Sequence, residues 1–356
     1  MKICVYAICK NEEKFVDRFM DSTIGADAVY VLDTGSTDKS VELLRKRGAI
    51  VKEEKIEPFR FDKARNLALL MIPEDYDICI SLDLDEVLSK NFREEILKVW
   101  DSNTTRLRYD YIWSFDSDNN PLVRFYTDKI HSRKDYIWTH PVHEVLKCLK
   151  KEVIKTSNLI IEHHPDTTKS RSNYLNLLEL SVLEDPNDDR NMHYLGREYM
   201  FHGLYNEAID TLIKHLNLES SVWDAERCAS MRFISRCYIE LNRYDEALLW
   251  LNKAIKEAPN LREPYVEMAN LYYELGNYDE AINYLNKSLT IKRNLEIYIN
   301  EPFCSDLYIY DILSVCYYNI GDYKKSLEYV SKALDEKPND ERIKNNKNII
   351  EKMILQ

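Results

Sequence analysis

The sequence predicts two parts: an α/β domain with a mostly parallel sheet over residues 1–170, and an all-α solenoid of repeated helix pairs over 171–356. Three observations carry this. Up to about residue 165, short apolar runs alternate with segments of helical periodicity. From about Asn191 onward the strand signal almost vanishes. In its place a six-residue phrase recurs along the chain.

The elements follow in order. Lys2–Ile8 is apolar and reads as a buried first strand. Glu12–Ser22 follows, with Phe15, Val16, Phe19 and Met20 on one helical face. Ala28–Leu32 is a second strand, and Asp38–Arg47 a second helix ended by Gly48. Ala49–Lys52 is a third strand, and Phe61–Met71 a third helix stopped by Pro73. Ile78–Leu82 and Phe92–Trp100 complete a fourth strand–helix pair. Strand and helix alternating at this spacing imply βαβ units and a parallel sheet. Arg106–Phe115, Leu122–Tyr126 and Val153–Glu162 read as further strands, an antiparallel flank.

The repeated phrase is GLYNEA at Gly203–Ala208, NRYDEA at Asn242–Ala247, GNYDEA at Gly276–Ala281 and GDYKKS at Gly321–Ser326. Tyr244 and Tyr278 lie 34 residues apart, and the outer spacings of 39 and 45 imply insertions or longer helices. Twelve residues before each phrase's final small residue stands another: Gly196, Ser235, Ala269 and Ser314. Small residues at both places let two helices approach closely. Tyr199, Tyr238, Tyr272 and Tyr317 fill the next gap outward, and Pro259 and Pro338 close their hairpins. Glu341–Gln356 reads as a terminal capping helix.

Composition narrows the function. A net charge of −12 argues against nucleic acid as the main partner, since duplex binding needs clustered Lys and Arg. No apolar stretch approaches the roughly 20 residues needed to span a bilayer, and Met1–Cys9 runs into charged residues, unlike a signal peptide. The eight cysteines form no C-x-x-C pair, and five sit in apolar runs, which suits a reducing, cytoplasmic compartment.

The chemistry concentrates in the first part. The fourth strand ends in Asp83, Leu84, Asp85 and Glu86. Strand alternation would point Asp83 and Asp85 to one side and Leu82 and Leu84 to the other. Ligands of open parallel sheets bind at the carboxyl ends of strands. Two acids 4 Å apart repel by up to about 4 kcal/mol at an effective dielectric of ~20. A hard divalent cation, Mg²⁺ or Mn²⁺, would relieve that and let a diphosphate approach. Asp33 ends the second strand before Ser36 and Thr37, which suit a helix N-cap. It could accept from a base or ribose, or simply hold the turn. Arg65, opening the third helix, could meet phosphates or a base edge, or be plain exposed helix charge.

Cys9–Glu13, Asp33–Asp38, Phe61–Asn66 and Leu82–Glu86 together resemble family 2 glycosyltransferases of the GT-A fold, over about residues 1–100. The later phrases resemble tetratricopeptide repeats over about 190–340. Bacterial transferases with such repeats, including the SunS-like peptide S-glycosyltransferases, are similar in this arrangement. Trp138–Glu144 resembles their GRxHE segment, and Ile160–His164 their HHGY strand end, although Pro165 and Asp166 replace the Gly-Tyr pair.

The resemblance implies an inverting hexosyltransferase using a nucleotide-sugar donor, a UDP-sugar foremost. Glu12, Asp33, Arg65 and Asp83 would bind the donor, Asp83 through the ribose or the metal. Asp85 and His163 would hold the cation, with His164 as competitor; histidine favours Mn²⁺ over Mg²⁺. A single displacement needs a general base. Glu144 is the first candidate, with Asp110, Asp116 and Asp118 as alternatives, and the aromatics of Tyr136–Trp138 could stack on a sugar. The repeats suit a peptide or protein acceptor, and a homodimer is compatible with them. A glycan or lipid-linked acceptor in surface polysaccharide assembly is the alternative. An inactive transferase acting as scaffold fits less well with the full set of acids, and a nucleotidyltransferase less well with the Asp33 turn.

Overall fold

The computed structural model describes residues 1–116, 118–166, 174–293, 297, 299 and 301–355. The chain divides into two compact units, the first running Met1–Asp185 and the second taking in Pro186–Asn294 and Ile299–Gln356.

The first unit is built on an eight-stranded sheet. Its parallel half comprises β1 (Ile3–Cys9), β2 (Ala28–Asp33), β3 (Ile50–Glu53) and β4 (Ile78–Ser81), in spatial order β3-β2-β1-β4. The sheet continues through β7 (Pro121–Ser132), β6 (Arg106–Phe115) and β10 (Ile154–His163) to the short β5 (Glu86–Leu88). β7 is antiparallel to β4 and to β6, whereas β10 is parallel to β6. Two reversals restore the direction of β4. The carboxyl ends of β1, β2, β4, β6 and β10 therefore share one edge of the sheet.

Side-chain alternation divides β1 between two cores. Ile3, Val5 and Ala7 face a core shared with Val16 and Phe19 of α1 (Val16–Ser22), Leu44 of α2 (Ser40–Lys46) and Phe92 and Ile96 of α4 (Phe92–Val99). Cys4 and Tyr6 face the other core, with Ala64 and Ala68 of α3 (Phe61–Leu70) and residues of a separate hairpin, β8 (Tyr136–Thr139) and β9 (Val145–Cys148). Buried on both faces, β1 needs its nearly unbroken apolar run.

The sequence reading places every one of the first four strand–helix pairs and the β6 and β10 strands. β7 runs longer than expected because it pairs along both β4 and β6. The three-residue β5 carries too little pattern to be read in advance. The boundary expected at 170 lies within 167–173, outside the described residues. Helix α5 (Tyr174–Glu184) falls in the first unit: Arg60 Nη1 donates to Glu184 at 2.6 Å, and the Tyr174 ring meets Phe61 at 5.9 Å.

The second unit stacks helix pairs: α6 (Asp189–Phe201) with α7 (Tyr205–Asn217), α8 (Asp224–Glu240) with α9 (Tyr244–Glu257), α10 (Glu263–Glu274) with α11 (Tyr278–Leu289), and α12 (Asp306–Asn319) with α13 (Tyr323–Glu336). Each phrase tyrosine is the first residue of the second helix of its pair. The small positions meet as expected. Ser235 Oγ donates to the Ala247 carbonyl at 2.9 Å, and Ser326 Oγ to the Ser314 carbonyl at 2.8 Å. A Cβ on Gly196 would stand 2.5 Å from Leu212 Cγ. Tyr272 and Tyr317 stack on Tyr284 and Tyr329 of their partner helices. Helix α14 (Glu341–Ile354) covers Val330 and Ala333 with Ile343 and Ile350, as a cap would.

All eight cysteines are free. No helix among the described residues is long and apolar enough to cross a membrane.

Candidate active site

The shared edge gathers most of the residues singled out in the sequence. β4 ends at Ser81, so Asp83 and Asp85 lie in the turn to β5 rather than on the strand. The turn is closed by the Glu86 N–H donating to the Asp83 carbonyl at 2.9 Å. Strand alternation therefore does not aim the two acids. Burial of Leu82 and Leu84, at 0% and 2% exposure, anchors the turn while Asp83 and Asp85 stay partly open.

Asp83 is paired by the protein itself. Arg65 Nη1 stands 2.9 Å from Asp83 Oδ1, Nη2 donates to Oδ2 at 3.0 Å, and Lys129 Nζ lies 3.7 Å away. Burial would raise the Asp83 pKa, but Arg65 and Lys129 outweigh it and hold the carboxyl well below its ordinary range. Lys129 also meets Glu86 at 3.3 Å, and Glu86 further accepts from Tyr111 Oη at 2.6 Å and from the Asp83 N–H at 2.9 Å. The expectation that Asp83 and Asp85 stand as two bare carboxylates is thus revised: Arg65 and Lys129 pair with Asp83, while Asp85 keeps its charge toward the open end of the site. No motif marks Lys129, which sits mid-strand on β7 and reaches the site only because β7 pairs with β4.

Arg65 is 5% exposed and buried at the heart of the cluster. Besides Asp83 it donates from Nε to Glu144 and from Nη1 to Ser81 at 3.3 Å, and its guanidinium lies over Trp138, 5.1 Å from the ring centre. Desolvation works against its charge, yet Asp83 and Glu144 keep it firmly protonated. Asn66 clips α3 to β8, donating to the Trp138 carbonyl at 2.8 Å and accepting from the Trp138 N–H at 2.9 Å. That clip brings the β8–β9 loop, and with it Glu144, beside Arg65. Glu144 thus enters the site as the partner of Arg65.

Asp85 and His163 form the open end. His163 Nε2 stands 3.4 Å from Asp85 Oδ2. On its other side His163 Nδ1 is 3.1 Å from the Trp113 carbonyl, and the ring stacks on Trp113 at 4.4 Å. A carbonyl only accepts, so Nδ1 carries the hydrogen. Nε2 then faces a carboxylate, and the two need a proton or a cation between them. Burial pulls the His163 pKa down, but Asp85 and the Trp113 carbonyl outweigh it and hold it above 6.5. His164 turns away, hydrogen-bonding Glu162 at 3.0 Å and stacking on Phe115. The ligand atoms of Asp83, Asp85 and His163 do not all converge within 4.8 Å of one another.

The remaining residues serve nearer home. Asp33, 1% exposed, accepts from the Gly35 and Ser36 N–H groups, each at 2.9 Å, and from Ser36 Oγ. Gly35, at φ +111°, permits that turn. Glu12 is half-buried before α1, its N–H donating to Ser40 Oγ at 2.8 Å. Asp110 pairs with Arg124, and Asp116 accepts from Asp118 and Asn120 within its own turn. Tyr136 and Trp138, expected to stack on a sugar, are 5% and 3% exposed. They are core residues, with Trp138 Nε1 donating to Tyr6 Oη at 2.8 Å. The exposed aromatic at this edge is Trp113, 42% accessible.

A family model for glycosyl transferase family 2 matches residues 4–156, and two tetratricopeptide-repeat models match 239–298 and 307–340. No curated protein matches significantly. Among solved structures, the chain is similar to MamA at 21% identity, with 48% of this chain and 91% of that one covered and a TM-score of 0.39. It is also similar to a thermophilic TPR protein of Thermus thermophilus at 20% identity, with 52% and 91% covered and a TM-score of 0.37. PilF of Pseudomonas aeruginosa matches at 14% identity, covering 48% and 70%, with a TM-score of 0.37. Residues 4–156 are a family 2 glycosyltransferase domain, and the chain continues into tetratricopeptide repeats.

Proposed function

We propose that the first unit is an inverting, cation-dependent hexosyltransferase that takes a sugar from a nucleotide donor, a UDP-sugar foremost. The observation that carries this reading is the Asp85–His163 pair at the carboxyl edge of the sheet. Its imidazole is fixed by the Trp113 carbonyl with Nε2 toward the carboxylate. One carboxylate oxygen and one imidazole nitrogen suit Mn²⁺ better than Mg²⁺. When bound there, the cation would offset charge developing on the leaving diphosphate.

The chain's own groups do the rest. Asp83, fixed by Arg65 and Lys129, presents a charged acceptor for ribose hydroxyls. Trp113 keeps the His163 tautomer and offers its open face to a sugar ring. The loops beside Asp33 and Glu12 interlock: Asn11 Oδ1 accepts from the Thr37 N–H at 2.7 Å and the Glu12 N–H donates to Ser40 Oγ at 2.8 Å, so the donor would lie against fixed turns. Glu144 acts through Arg65 as a positioning residue. To serve as the general base it would have to leave that pair.

The repeats favour a peptide or protein acceptor, because stacked helix pairs offer an extended surface for a chain. Eight free cysteines support a cytoplasmic setting.

The test is incubation of the full chain with Mn²⁺ and a panel of sugar nucleotides, following nucleotide release and thermal stabilisation. Release or stabilisation by one donor, lost in Asp85→Ala with the helical signal intact, is the expected result. No response to any donor, or equal donor binding by Asp85→Ala, would overturn the reading. Mass spectrometry of co-expressed peptides separates a polypeptide acceptor from a glycan.

A further inference from the structure

Where α6, α7 and α8 of the second unit meet, the interior is polar. His193, His215, Ser230 and Glu226 are 1%, 0%, 0% and 4% exposed. They form a chain of contacts. His193 Nδ1 is 2.7 Å from Ser230 Oγ, which is 2.9 Å from His215 Nδ1. His215 Nε2 lies 3.0 Å from Ser221 Oγ and 3.5 Å from Glu226 Oε1. Asp189, the first residue of α6, completes the group: ligand atoms of Asp189, His215 and Glu226 all lie within 4.8 Å of one another.

Helix chemistry explains each residue singly. Asp189 and Glu226 stand in the first turns of α6 and α8, and His215 in the last turn of α7, where the helix dipoles favour those charges. It does not explain why three helix ends bring them to one point, two of the three buried. A divalent ion at that point would be met by two carboxylates and one imidazole.

We propose that Asp189, His215 and Glu226 bind a Zn²⁺ ion that ties together α6, α7 and α8. One imidazole and two carboxylates form a donor set that Zn²⁺ accepts. Tetrahedral ligation with bonds of about 2.0–2.1 Å sets donors about 3.4 Å apart, close to the 3.5 Å between His215 and Glu226. The other imidazole nitrogen of His215 is already held by Ser230, the outer support that zinc-binding histidines use. Ser230 is steadied in turn by His193, which burial keeps neutral, its pKa lowered to about 3.

The experiment uses the full chain carrying Asp85→Ala, which removes the other candidate cation pair. After stripping with EDTA it is titrated with ZnCl₂ by calorimetry, and thermal unfolding is followed alongside. One equivalent should bind and raise the melting temperature. Adding Asp189→Asn, a change at a partly exposed helix start, should weaken Zn²⁺ at least tenfold while the stripped protein melts as before. His215→Gln should abolish binding. Absence of stoichiometric binding overturns the proposal. Equal Zn²⁺ affinity with and without Asp189→Asn also overturns it, leaving Asp189, His215 and Glu226 a cluster held by its own protein contacts alone.

Discussion

Glu144→Gln separates a positioning role from a proton-transfer role. The Glu144 side chain is 12% exposed and receives Nε of the buried Arg65. Glutamine has the same shape, and its amide oxygen still accepts from Nε, so the Asn66 clip and the loop stay in place. What is lost is the charge. A hydrogen bond between charged groups contributes about 1.5–3 kcal/mol and a neutral one about 0.5–1.5, so the substitution should cost about 1–2 kcal/mol. For a unit of this size that lowers the melting temperature by roughly 2–8 °C. Arg65 keeps Asp83 as partner, at 2.9 Å, so the site loosens without collapsing. Donor KM in the Mn²⁺-dependent release assay should therefore rise several-fold, with a smaller change in kcat. Loss of a general base has another signature: kcat falls by about 10²–10⁴ with binding intact. A drop of that size at unchanged donor KM and unchanged melting temperature would refute the positioning argument and make Glu144 the base.

Cation binding at Asp85 and His163 should strengthen as pH rises. The paired imidazole has its pKa held above 6.5, so its contribution to folding is complete below about 6.5 and is lost as pH climbs through the raised value. Mn²⁺ needs the proton gone, so stabilisation by Mn²⁺ should grow from roughly pH 6 to 9 and lose that trend in His163→Gln. In the second unit, Arg232 is 1% exposed and meets Glu267 at 2.7 Å and Glu301 at 2.6 Å. Arg232→Met strands Glu267 with Arg236 alone and should cost about 3–5 kcal/mol by denaturant unfolding; a cost under about 1 kcal/mol would show the network to be dispensable. Gly196→Ala places a methyl 2.5 Å from Leu212 Cγ, and should cost about 1–3 kcal/mol as α6 and α7 are forced apart. Leu212→Ala in the same chain should recover part of that loss.

Much of this protein was legible in one dimension because its determinants are local. Period-two and period-3.6 patterns mark strands and helices wherever a face is buried. The repeat phrase places the first residue of four helices, since a tight turn and a close helix contact each demand particular small residues at fixed spacing. The acids of the 83–86 stretch stand out because three carboxylates follow directly on a buried apolar run. Partners, by contrast, are set by which strands become neighbours. Lys129 meets Asp83 only through the β4–β7 pairing, and Trp113 and His163 meet only because β6 and β10 run side by side. The choice of His163 over His164 likewise came from the sheet: adjacent residues at a strand end face opposite ways, and one side holds Asp85. Burial also reversed expectations that residue type alone suggested. Tyr136 and Trp138 look like sugar-stacking side chains in sequence, but packing of α3 and the β8–β9 hairpin on the sheet makes them its interior, and the exposed-charge reading of Arg65 gives way to a buried cation paired with Asp83 and Glu144. Sequence named the chemical groups at this edge; tertiary structure decided which are free to meet a ligand, because charge and exposure depend on neighbours distant along the chain.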